Sequence, residues 1–386
     1  MSRSRHRRPL RRGSLLAAAA VAVLLALGSA SVVMAVTGHH GQPPPRPSAT
    51  RSSDPTAAAI AGPSPQQSTL SPTPRPSARP KRRRRPPATP AASSGICTSA
   101  PATFAVGSRT WPNCADTGVP AGTALKQLIS PAPTGDGDDT VTEIHQPGTI
   151  IKDVELTGSL DVYANNVTIE DSVIKSRNWW GINLRQGYTN LRILHCTIVG
   201  LPGQGPDNGY ENYGVSSSGN SVEVGWSNIS GFGDAISMGT GYVHDNYVHD
   251  LQSFIAANST DYNHDDDVIS NGGSGLTVTH NTLLDQLTPQ LGASSAIGLY
   301  DDFGEITNVS ITDNFLAGGA YTLYPASSPS AHIVITGNVF SSLYWSASGF
   351  YGPVDTGDWD ASGAGNEWSG NTMAKGTAAG KPVLPQ

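Results

Sequence analysis

"LTVTHNTL" at Leu276–Leu283, "VSITDNFL" at Val309–Leu316 and "IVITGNVF" at Ile333–Phe340 are copies of one unit, and that unit decides the fold. Each octet opens with alternating β-branched or apolar residues, the pattern of a half-buried strand. The same unit recurs as "VTIEDSVI" (167–174), "LRILHCTI" (191–198), "VEVGWSNI" (222–229) and "GYVHDNYV" (241–248), with a weaker early copy, "TIIKDVEL" (149–156). Successive starts from Val167 lie 24, 31, 19, 35, 33 and 24 residues apart. A fixed unit with variable spacing is what loop insertions along a solenoid produce.

The sixth octet position reads Ser172, Cys196, Ser227, Asn246, Asn281, Asn314 and Asn338. A column of asparagine and small polar residues at a turn predicts a stacked ladder. Asparagine tolerates left-handed backbone and bonds the backbone of the neighbouring coil. Turn-rich segments and a second short strand follow each octet, as in "WGINL", "YGVSS", "DAISM", "DVISN", "AIGLY" and "YTLYP". The expected fold is all-β, a right-handed parallel β-helix. Cys196 becomes a small buried ladder member. The one helix signal, "AGTALKQLI" (121–129), is expected to form a short turn or cap over the first coil.

Outside the repeats the chain changes character. Residues 1–37 join a basic leader, "MSRSRHRRPLRRGS", to the apolar run Leu15–Val36, and are expected to be a signal peptide or an uncleaved membrane anchor. Residues 38–96 are rich in Pro, Ser and Arg, include "RPKRRRRPP" (79–87), and are expected to be a disordered linker. Residues 97–386 are expected to form the β-helix domain. Cys97 and Cys114 bracket a short segment of this exported domain and are expected to form a disulfide, leaving Cys196 free.

Charge divides at the same boundary. Residues 1–96 hold 15 of the 24 Lys and Arg and one acidic residue, Asp54. The remaining nine basic and 29 acidic residues give 97–386 a formal charge of −20, which the overall −6 conceals. Such a body repels nucleic acid, anionic lipid and polyuronates.

Four stretches carry a resemblance: "TGVPAGTAL" (117–125), "PGTIIKDVELTGSLDVYANNVTIEDSVI" (147–174), "HDDDVISNGGSGLTVTHNTLLD" (264–285) and "YDDFGEITNVSITDNFLAGGAYTLY" (300–324). Together they resemble actinobacterial secreted right-handed β-helix proteins of the pectate-lyase-like superfamily, over most of 115–375. The resemblance implies the fold and an exported protein. In that family the segment matching His264–Ile269 reads H-N-D-G-I-Q. Here His264 and Asp266 match, while Asp265, Asp267 and Ile269 replace Asn, Gly and Gln. The family's "SDG" is "GDA" (233–235) here, and its "ADFG" is "DDFG" (301–304).

Aligning the second strands puts Asp234 and Asp266 in one column on adjacent coils. Ser295 follows on the next coil, Asp301 and Asp302 lie a few residues beyond it, and Glu211 precedes the equivalent position one coil earlier. Two flanking carboxyls, one protonated and one charged, are what glycoside hydrolysis needs, and crowding raises one pKa. Asp234, Asp266, His264, Asp267 and Asp302 are therefore the candidate catalytic residues, with His264 orienting or relaying protons. Strict alternation from Val268 and Ile236 would turn Asp234 and Asp266 inward and expose Asp265 and Asp267 instead, unless the strand bends. The bland alternatives are turn capping or a structural Ca2+ held by "HDDD". Trp179, Trp180, Tyr210, Tyr213 and Tyr300 are candidate sugar-stacking residues, with Glu211, Asp265 and Asp301 as polar binding partners. His244 and His249 flank a ladder residue and are expected at turns or on the surface.

The expected function is a secreted polysaccharide-degrading enzyme, a glycoside hydrolase, acting as a monomer on a neutral or weakly charged polysaccharide. No cofactor is required on this reading, with Ca2+ as the alternative. The protein would be secreted or tethered to the outer face of the cell, touching membrane only through an uncleaved N-terminus. Two other functions compete: a pectate-lyase-like polysaccharide lyase, Ca-dependent for want of cationic side chains near the acidic cluster, and a non-catalytic glycan-binding surface protein.

Overall fold

Each octet folds into two strands joined at the ladder residue, and the segment after it supplies a third. Asn281, for example, separates strand Leu276–Thr279 from strand Thr282–Asp285, and strand Ala293–Leu299 follows. The structure, a computed structural model, describes residues 102–128, 141–355, 357, 359–374 and 376–385. The leader, the linker and Cys97 lie outside them. The chain divides between Pro86 and Pro87, and all the described residues belong to the second unit.

Among the described residues the strands form three parallel sheets of 10, 10 and 9 strands, in which neighbours follow chain order coil by coil. That is a parallel β-helix. The first sheet collects the opening strands of the octets, the second the strands after the ladder, and the third runs from Val141–Ile144 to Gly352–Val354. Inward residues stack in register, as Ile182, Val215, Ile236, Val268, Ile297 and Leu323 do along the third sheet. All six are fully buried in one continuous apolar core. Regular burial of this kind stabilises by roughly 25 cal/mol per Å² of apolar surface.

The ladder forms as expected, with one shift. The carboxamide Oδ1 of Asn281 accepts the backbone N–H of Asn246 at 3.0 Å and its side-chain amide at 2.9 Å. Asn314, Asn338 and Asn371 repeat this pattern on the coil before each. Cys196 and Ser227 continue the column, with Cys196 N–H donating to the Ser227 hydroxyl at 3.2 Å. The left-handed residue, however, is the fifth of each octet and not the sixth. Asp171, His195, Trp226, Asp245, His280 and Asp313 have φ between 50 and 55°. The turn needs that backbone immediately before the ladder residue, so the carboxamide can point inward.

Three further readings change. The expected short turn is present at Ala121–Gly122, but among the described residues it leads not into a helix but into strand Lys126–Leu128, which extends the second sheet by pairing with Val154–Thr157. His244 is no surface residue but is buried between the edge of Trp226 and the face of Tyr242, with Asp245 at 2.8 Å and Glu223 at 3.3 Å. A last repeat, "NEWSGNTM" (366–373), brings Asn371 into the ladder although its strands are short and half-exposed. An antiparallel hairpin, Phe104–Val106 with Arg109–Trp111, covers the outside of the second sheet, where Phe104 and Trp111 pack on Leu284, Phe315 and Val339. Cys114, just beyond the hairpin, is disulfide-bonded, and Cys196 is free.

Candidate active site

The third sheet carries one outward column: Trp180, Tyr213, Asp234 and Asp266 are direct register partners on consecutive coils, and Ser295 follows. A bend makes this column face out. The residues after it, Gly181, Gly214 and Ala235, point into the core; a Cβ on Gly214 would sit 2.8 Å from Ile229 Cγ2. The next residues, Ile182, Val215 and Ile236, also point in. Two consecutive inward positions break the two-residue period, so Asp234 and Asp266 turn away from the core while Ile236 and Val268 stay in it, although Asp266 is itself fully covered by its neighbours. The strand holding Asp266 adds a register irregularity between Asp265 and Asp266.

Asp265 and Asp267 are therefore not an exposed pair, contrary to strict alternation. Both are fully buried. Asp267 occupies the inward position that Gly181, Gly214 and Ala235 fill on earlier coils, and neither of its oxygens has a hydrogen-bond partner. Burial pushes its pKa well up, with Asp285 and Asp266 adding to the shift. Asp265 accepts a hydrogen bond from Asn263 Nδ2 at 2.5 Å, and burial followed by Asp285 and Asp234 raises it as well.

The outward pair is tightly built. Asp234 Oδ1 accepts the backbone N–H of Asp266 at 3.1 Å. The Ser295 hydroxyl donates to Asp266 Oδ1, and the Tyr300 phenol reaches the same oxygen at 3.4 Å. Tyr300 gets there because its ring lies flat over Gly298, where a Cβ would meet the ring at 2.3 Å. Asp266 Oδ2 has no partner. Burial pushes Asp266 up to about 7 against the pull of the Ser295 and Tyr300 hydroxyls. Asp234, 8% exposed, is raised by burial and then by the Asp266 charge. The pair thus shares its protons well above the ordinary carboxylate range.

Two insertions wall the column on the side of the second sheet. Tyr210 stacks on Phe254 at 5.2 Å, and Asp207 and Asn208 bond the backbone of Ala257 and Ile255. Tyr210 is thereby a staple between loops. Asn263 ties the second loop down by accepting the Phe254 N–H at 2.8 Å. Glu211 sits fully buried beneath the first loop, and burial pushes it up to about 7, tempered by the nearby backbone of Leu201 and of Glu211 itself. Its carbonyl and that of Asn212 accept the N–H groups of Gly233 and Asp234. Trp180 donates Nε1–H to Asp161 at 2.6 Å beneath the Arg185 guanidinium, 4.6 Å above its ring. Trp179 holds the next coil through its carbonyl, which accepts the Asn212 and Tyr213 N–H groups.

Other expected members stand apart. His264 is exposed in a shallow depression with Tyr262 and Ser294, and its ring makes no hydrogen bond among the described residues. Asp302 is exposed after strand Ala293–Leu299 and makes no hydrogen bond or ion pair among the described residues; Asp301 accepts one from Ser327 at 3.0 Å. Asp285, the last residue of strand Thr282–Asp285, joins the buried carboxyls. It takes the register position of Gly318 on the next coil, accepts the Leu287 N–H at 3.0 Å and leaves Oδ2 unpartnered. A carboxylate where a neighbouring repeat has glycine was the available signal.

Ca2+ takes six to eight oxygens, and among the described residues no three Asp, Glu, His or Cys side chains converge to hold a metal. The acidic cluster is a set of crowded carboxyls with raised pKa values beside an aromatic column. Compared with family models, curated proteins and solved structures, the chain matches none.

Proposed function

We propose that the protein is an exported polysaccharide hydrolase, allied to the pectate-lyase-like β-helix proteins that its sequence resembles, and that Asp234 and Asp266 are its working carboxyls. The observation that carries this reading is their register pairing on the outward column between Tyr213 and Ser295. Hydroxyls on Asp266 Oδ1 favour charge there, while Asp234 faces that charge with a single backbone donor. The shared proton therefore belongs on Asp234, the general acid, and Asp266 is the carboxylate.

Adjacent strands lie roughly 4.8 Å apart, close to the about 5–5.5 Å carboxyl spacing of retaining enzymes. Asp234 gives its proton to the leaving oxygen as the glycosidic C–O bond breaks, and an Asp266 oxygen bonds the anomeric carbon. Water then cleaves that ester, its oxygen joining the sugar and its proton returning to Asp234. Tyr300 shields Asp266 and must swing aside for a sugar to reach it. The protein is tested against a panel of glycans with and without EDTA. New reducing ends, unaffected by EDTA and without the absorbance of an unsaturated product, support the reading. Unsaturated products mean a lyase, and binding without product means a glycan-binding module.

A further inference from the structure

On the other side of the acid pair, the later coils carry a second run of aromatic rings, of which the catalytic reading uses only Tyr300. Tyr300 lies 5.4 Å from Tyr324, Tyr324 5.6 Å from Tyr321, Tyr321 5.8 Å from Tyr351, and Tyr351 5.0 Å from Phe350. Of these rings only Tyr321 falls in line with the outward column; Tyr324 pairs with Gly298, and Tyr351 precedes the column position, Gly352. The Ile297–Leu323 pairing sets Ser295 opposite Tyr321, and Tyr321 pairs with Gly352. Glycines lie beneath the rings. Tyr300 covers Gly298, and Tyr321 approaches the Cβ direction of Gly352 at 3.4 Å. Neighbouring rings along the run are inclined to one another by 49, 90, 48 and 88°. Tyr351 and Phe350, at the far end, are 59% and 41% exposed.

Charge narrows the occupant. From Ile193 to Ala374 the sequence has no lysine or arginine, so these coils offer no cation to a polyuronate or a sulfated chain. On the early coils the guanidinium of this face, Arg185, is spent on Asp161. A row of separately inclined aromatic rings without cations matches the C–H faces of successive uncharged pyranoses, and three coil steps from Asp266 to Gly352 span roughly 14 Å, the length of a few sugar units.

We propose that Tyr321, Tyr324 and Tyr351 form a stacking track for an unbranched, uncharged polysaccharide lying along the solenoid axis. The track deepens the hydrolase reading by naming its substrate class, and it stands or falls separately from turnover. The test uses affinity electrophoresis and calorimetry of the full chain with soluble unbranched glucan, xylan and mannan, and with polygalacturonate as the charged control. The variants are Tyr351→Ala, Tyr321→Ala and, off the track, Phe303→Ala, whose side chain is 77% exposed. Wild type is expected to bind at least one neutral glycan and not polygalacturonate. Tyr351→Ala and Tyr321→Ala should each weaken binding about tenfold, and Phe303→Ala should leave it unchanged. Loss of binding in the tyrosine variants supports the track even if no glycan is cleaved, which would sink only the hydrolase reading. Wild-type binding that survives both tyrosine substitutions overturns the track even if turnover is found. So does failure to bind any neutral glycan, or a Tyr351-dependent dimer on size exclusion that binds no sugar, which would make a second copy the occupant.

Discussion

Asp234 and Asp266 lie side by side on adjacent strands, and the carboxylate of the first accepts the backbone N–H of the second at 3.1 Å. The contact couples one residue's charge to the other's backbone, so it reports on both. Burial raises both carboxyls and the Asp266 charge raises Asp234 further, while the hydroxyls of Ser295 and Tyr300 pull Asp266 the other way.

Removing one of those hydroxyls should move the pH profile in a fixed direction. Tyr300→Phe keeps the ring over Gly298 but deletes a donor to Asp266 Oδ1. Asp266 then protonates more readily, so the acid limb of turnover shifts to higher pH, by up to about one unit for a hydrogen bond worth about 1 kcal/mol. Rates of the variant and wild type across pH check this; an unmoved acid limb means that Tyr300 does not act through Asp266.

The inward carboxyls make a separate prediction about stability. Asp267 and Asp285 have pKa values raised well above the ordinary carboxylate range by burial. The folded state then holds their protons more tightly than the unfolded chain, whose carboxylates titrate near about 4. Stability is fullest below that value and falls as pH rises through the folded pKa values. Asp267→Asn removes the titration and should raise Tm at pH above about 7 by the equivalent of at least about 1 kcal/mol, with little effect near pH about 4. Thermal melts of both proteins across pH give the answer, and parallel curves would mean that Asp267 stays charged in the fold.

Asn281 tests the ladder. It is fully buried, accepts two hydrogen bonds from Asn246 and donates to the carbonyls of Val243 and Thr279. Asn281→Leu strands backbone groups at a buried turn, and the expected loss is roughly 1–3 kcal/mol, read by denaturant unfolding. A neutral result would remove the ladder from the account of stability.

The cysteines should separate by chemistry. Cys196 is buried, and burial pushes its thiol up to about 12, so alkylation at neutral pH should spare it until the chain unfolds. Cys114 is already oxidised. Peptide mapping without reduction should find Cys114 joined to Cys97. Labelling of Cys196 in the native protein would contradict its place in the ladder.

The coil architecture was legible because a β-helix turns one recurring position into one column, and Asn246, Asn281, Asn314 and Asn338 mark it on successive coils. Column membership of Asp234 and Asp266 followed from the same repeat. Direction did not, because it depends on Gly181, Gly214 and Ala235 pointing inward beside a second inward residue. Small residues signal close packing but not which way a strand bends. Asp285 was hidden because a strand's last residue looks like turn chemistry until its register partner, Gly318, is known. Tyr321 was hidden for a similar reason: its alignment with Asp266 passes through a strand with an irregular register. The Lys126–Leu128 strand was missed because three residues carry no period.

The most direct test of the central claim is turnover and melting temperature measured together for Asp234→Asn and Asp266→Asn, on whichever glycan the wild type cleaves. Each substitution should cut turnover at least about a hundredfold, the scale of lost acid–base catalysis. Tm should hold or rise, because asparagine is isosteric and relieves the crowding of buried carboxyls. Variants that melt well below wild type, yet keep full specific activity while folded, would contradict the claim and make the two aspartates structural.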